Sequence, residues 1–73
     1  MITLDAQLLA AHDKNNTAAL VNLYTQAADQ SDDVDATCFY LTHAYVFALE
    51  LGSYKAVNLR DRLVIHGREP TAD

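Results

Sequence analysis

The sequence predicts an all-α protein of four helices, paired as two antiparallel hairpins over about 4–12, 18–28, 34–51 and 54–66. Three observations carry that expectation. Of the 73 residues, 51% are hydrophobic while only two are Gly and one is Pro, so the chain is too apolar and too short of breakers to remain disordered. The apolar residues recur at helical spacing, with no alternating strand pattern. Each break in that spacing carries residues that end or start helices.

Thr3 is the expected N-cap of the first helix, and Asn15-Asn16 its turn, because Asn tolerates the left-handed backbone that closes helices. Thr17 is the expected cap of the second. There Ala19, Leu20, Leu23, Tyr24, Ala27 and Ala28 fall on one side, with Asn22, Thr25, Gln26 and Asp29 on the other. The run Asp29–Asp33 reads as a loop ending in a cap at Asp32 or Asp33, and Asp35 falls in the next first turn, where the helix dipole favours an anion. Gly52 fits the left-handed residue closing the third helix, and Ser53 the cap of the fourth. Gly67 and Pro70 stop that helix, making residues 1–67 one domain and 68–73 a flexible tail. Connections this short make consecutive helices antiparallel neighbours.

Composition and charge exclude several function classes. The chain carries five Lys+Arg against ten Asp+Glu, a net charge of −5, which argues against nucleic-acid binding through phosphates. Residues 1–50 hold seven acids and one base, and residues 51–73 three acids and four bases. Pairing of Arg62 and Arg68 with Asp32, Asp33 and Asp35 would account for the split. The single Cys38 offers no internal disulfide and no zinc spacing, and it falls on the apolar arc as a small core residue. With no signal-like N-terminus and no apolar run long enough for a bilayer, the expected setting is the cytoplasm. His12, His43 and His66 sit on three different helices, so neither a metal nor a cofactor is expected. A Cys38/His43 catalytic pair is disfavoured because the two point roughly 140° apart on a helix. No Gly-rich phosphate loop exists, and the four Tyr read as core pieces with wet hydroxyls. The protein is expected not to be an enzyme.

Two features point instead to a surface. The apolar arc of the third helix covers more than half its circumference, leaving a face where Phe39, His43, Val46 and Glu50 form one stripe. Either the short, Ala-rich first helix covers Phe39 and Val46, or they are open to a partner. On the fourth helix, Ala56, Val57, Leu59, Leu63 and Val64 make an apolar stripe with Arg60 in its midst. Arg60 must snorkel, pair with a carboxylate such as Glu50, or line an interface. A small chain buries only roughly 60% of its unfolded surface, so its core is marginal and self-association is favoured. The expected function is a protein–protein interaction module, a homodimer through helix 34–51 and the flank of the fourth helix. The alternative is a groove for a small carboxylate or peptide, lined by Arg60 and His43.

Leu41, the turn Gly52-Ser53-Tyr54, then Val57, Val64 and Pro70 resemble a tetratricopeptide repeat. Tyr45, Ala48 and Asp61 depart from that pattern. The segment Ala11–Leu20 echoes Ala48–Val57, with identities at Ala11/Ala48 and Ala19/Ala56. The resemblance implies a binding scaffold rather than a catalyst. The whole chain also resembles short bacterial proteins of unknown function, which implies no activity.

Overall fold

Thr3 accepts a hydrogen bond from the Ala6 amide at 3.1 Å and opens α1, Leu4–Asp13, in the computed structural model, which describes residues 3–67. α2 (Thr17–Gln30), α3 (Val34–Leu51) and α4 (Lys55–Ile65) follow, with no strand among the described residues. Arg68, Pro70 and the tail expected over 68–73 lie outside them.

The cap of α2 is Asn16 rather than Thr17, its Oδ1 accepting from the Ala19 amide at 3.2 Å. Asn and Ser/Thr compete for this position, and Asn16 wins because Asn15 has already turned left-handed at φ 53°. Asp33 caps α3, accepting from the Ala36 amide at 2.9 Å. Asp29 and Gln30, expected in the loop, belong to the last turn of α2. α4 starts one residue later than expected: its cap position is Tyr54, which makes no side-chain cap bond, and not Ser53, whose hydroxyl accepts from the Lys55 amide at 3.1 Å in the turn before it.

The two hairpins turn alike. Asn16 N–H donates to the Ala11 carbonyl at 2.9 Å, and Ser53 N–H to the Ala48 carbonyl at 2.9 Å. Asn15 donates to His12, and Gly52 to Leu49, both at 3.1 Å. Each is a Schellman closure, with the left-handed residue Asn15 in one and Gly52 (φ 71°) in the other. All these positions correspond at an offset of 37 residues, so the weak sequence echo is a repeated local structure.

The packing is serial. α1 lies on α2, α2 on α3, and α3 on α4, with the α2–α3 contact the most extensive. The core joins Val21 and Ala28 of α2 to Cys38, Leu41, Ala44 and Ala48 of α3 and to Ala56, Leu59 and Leu63 of α4. Four of these nine side chains are alanines, which let the helices approach closely, and Leu41 and Leu63 fill the space between. Tyr24, Tyr40, Tyr45 and Phe47 pack around the rim. Tyr54 is not a core piece: it is 84% exposed at the turn into α4.

α2 and α4 run parallel on either side of α3, tied by two polar contacts. Lys55 Nζ donates to Asn22 Oδ1 at 2.8 Å, and Arg62 pairs with Asp29 at 2.7 Å. Both join residues 33 apart, which sets α4 in register with α2. The carboxylate that receives Arg62 is thus Asp29, not Asp32, Asp33 or Asp35, because α2 runs two residues past its expected end and holds Asp29 on the helix beside α4. α3 lies in the saddle between these two helices, with its opposite face turned away from both.

Candidate functional site

The side of α3 carrying Cys38, Leu41, Ala44 and Ala48 is buried. At 100° per residue the opposite side carries Asp35, Phe39, Val46 and Glu50, with Thr42 and Leu49 on the margin next to Cys38, and all six are exposed. Phe39 is 57% open, Leu49 55% and Val46 45%. α1 does not cover them. Its axis packs on α2 alone, and it reaches α3 through His12, whose ring lies 5.9 Å from that of Phe47. Leu49, only about 20° round the helix from Cys38, is exposed all the same near the end of α3. Val57 of α4, expected in a buried stripe, is 67% open for a similar reason: α4 has α3 on one side and no helix on the other among the described residues.

His43 borders this face and is half-buried. Its Nδ1 lies 2.9 Å from the Phe39 carbonyl oxygen. A carbonyl only accepts, so Nδ1 carries the proton and donates, leaving Nε2 as the second ring nitrogen. The imidazole packs between Phe39, at 4.4 Å between ring centroids, and the phenol of Tyr24, stacked at 5.1 Å. Tyr24 also stacks on Phe47 at 5.9 Å and hydrogen-bonds His12 Nε2 through its hydroxyl at 2.9 Å. Three helices therefore contribute to one aromatic cluster along the edge of the open face. No sequence pattern marks His12 and Tyr24 as neighbours, because periodicity within a helix does not report which helices meet.

A shallow hollow of ≈ 350 Å³ sits on the face itself, lined by Asp35, Cys38, Phe39, Thr42 and His43. All five belong to α3. Cys38 is a buried free thiol at its floor. Arg60 is half-buried on α4 and takes no part in this hollow, and Glu50 is exposed near the end of α3. The structure thus aligns Phe39, His43, Val46 and Glu50 on one helix, while Arg60 lies on the next. Among the described residues no three His, Cys, Asp or Glu side chains come together to hold a metal ion. No described helix is long and apolar enough to cross a membrane.

No protein-family model, curated protein or solved structure matches this chain. Its function therefore has to be argued from the face.

Proposed function

We propose that the protein is a non-catalytic interaction module that associates with a second copy of itself through the open face of α3. The observation that carries this is the row of Phe39, Val46 and Leu49, each about half exposed on the one side of α3 that neither α2 nor α4 covers. Apolar groups at this spacing gain free energy when a partner removes them from water, at about 25 cal/mol per Å². The described fold is flat, 41 × 29 × 13 Å between Cα atoms, and its broad side is large enough for the ~800 Å² per partner that a stable interface takes. A small domain with an Ala-rich core has the most to gain from such cover.

A carboxylate or peptide site between Arg60 and His43 is the weaker reading, since the hollow that His43 borders is walled by α3 alone. Sedimentation velocity across a concentration series from low to hundreds of micromolar tests the proposal. A reversible monomer–dimer equilibrium in that range is expected; a single 8.1 kDa species throughout would sink it.

A further inference from the structure

α2 and α4 face each other across a groove whose polar residues pair at a constant offset of 33. Asn22 and Lys55 make the first rung, closed by the 2.8 Å bond from Nζ to Oδ1. Asp29 and Arg62 make the third, closed at 2.7 Å. Thr25 and Asn58 stand at the same offset between them, and no bond joins these two. At this middle rung the groove opens into a hollow of ≈ 320 Å³ lined by Asn22, Thr25, Tyr54, Lys55, Asn58 and Leu59. None of the six belongs to α3, so the hollow is separate from the face proposed for association. None is acidic, although the chain carries ten Asp+Glu.

The side chains around the hollow divide by what they still have to give. The Lys55 ammonium has three N–H groups and uses one on Asn22, which holds the charge at the groove. Asn58 lies one turn farther along α4, and its amide has no partner among the described residues. Residues three apart on a helix are neighbours, so the Asn58 N–H groups and the Lys55 ammonium can reach the same pair of oxygens. Thr25 Oγ1 donates its one proton to the Val21 carbonyl at 2.7 Å, so toward a ligand it only accepts. Leu59, 3% exposed, makes an apolar floor, and Tyr54, whose ring the core does not use, a wall. Two donors, one of them charged, beside a lone acceptor on an apolar floor are complementary to a carboxylate with a hydroxyl on the adjacent carbon. The volume suits a molecule of few atoms. The closed rungs cross the groove on either side, so a peptide laid along it would have to break one of them.

We propose that this hollow binds a small α-hydroxy acid, its carboxylate on Lys55 and Asn58 and its hydroxyl donating to Thr25. The test titrates L-lactate into the isotope-labelled protein at constant ionic strength, with sodium chloride as the reference, and follows the amide resonances by NMR. Saturable shifts are expected in the Asn58 side-chain amide and in the backbone amides of Lys55 and Asn58. Propionate, which lacks the hydroxyl, should bind about fivefold more weakly, the worth of one neutral hydrogen bond. Lys55→Gln keeps a donor for Asn22 and loses the charge, and should weaken lactate about tenfold. Thr25→Val should bring lactate down to the affinity of propionate. Circular dichroism checks that each variant folds; if Thr25→Val does not, the difference between lactate and propionate in the wild type decides the same point. Shifts that never saturate, that match those of sodium chloride, or that are unchanged in Lys55→Gln would overturn the site. Equal binding of lactate and propionate by the wild type would overturn the hydroxy acid as its ligand.

Discussion

Replacing Phe39 by alanine separates the stability of the subunit from the strength of its association. Burying a phenylalanine side chain completely is worth about 1.5–3 kcal/mol. With Phe39 57% exposed, roughly half of that is unrealised within one chain and available to a partner, about 1–1.5 kcal/mol. A twofold dimer contains two such residues, so Phe39→Ala should weaken association by about 2–3 kcal/mol, or about 30- to 150-fold in Kd. Within the subunit the loss is smaller. The ring's contacts with His43 and Tyr40 disappear, at centroid distances of 4.4 and 5.6 Å, but the Phe39 carbonyl that accepts from His43 stays, and alanine is the better helix former. A net cost below about 1 kcal/mol follows, a fall in Tm of no more than about 4–8 °C in a domain of this size. Sedimentation equilibrium with a parallel thermal melt by circular dichroism measures both. An unchanged Kd would refute the assignment of Phe39 to the interface. A collapse of the melt would show instead that its exposed ring is holding the subunit together.

Other substitutions should report on the fold itself. Leu41→Ala, at a fully buried position between three helices, should cost about 2–5 kcal/mol in urea unfolding, a large share of what a 73-residue domain has; a cost under about 1 kcal/mol would mean that the core is not where the packing puts it. Gly52→Ala should cost about 1–2 kcal/mol through backbone strain alone, because its φ is 71° and an added Cβ meets nothing within 4 Å; a neutral result would show that the turn relaxes. Arg62→Ala should cost less than about 1 kcal/mol, since its pair with Asp29 is partly solvated, and a larger loss would give α4 a stronger dependence on that tie than the geometry allows. Because each copy carries a net charge of −5, association should strengthen as salt is added; weakening with salt would point to an ionic interface.

The helices were legible because their ends are written in local chemistry. Thr3, Asn15, Asp33, Gly52 and Ser53 each act on backbone groups within a few residues, and each was readable from its neighbours in sequence. The stripe Phe39–His43–Val46–Glu50 was legible for the same reason, since helical periodicity fixes which residues share a face. Partners across helices were not. Arg62 met Asp29 because α2 runs two residues farther at its end than the polar run suggested, which moves every carboxylate beyond it. Leu49, Tyr54 and Val57 are as apolar as their buried neighbours, and only the position of α2 and α4 around α3 decides that they stay wet. The aromatic cluster joining His12, Tyr24 and His43 needs three helices to be placed before any two of its members are neighbours.

Serial packing also sets how the chain acquires its shape. Every helix rests on the one before it, so the loops to be closed are short and the entropy lost before native contacts reward it is small. Low contact order of this kind places folding in the microsecond-to-millisecond range. The central α2–α3 pair, with the broadest contact, is the natural nucleus. α1, which buries only Ala11 and supplies nothing to the main cluster, is the last piece to dock and the first to let go. Amide exchange should therefore run ahead along Leu4–Asp13, leaving a three-helix remnant that still presents the same greasy stripe to the solvent.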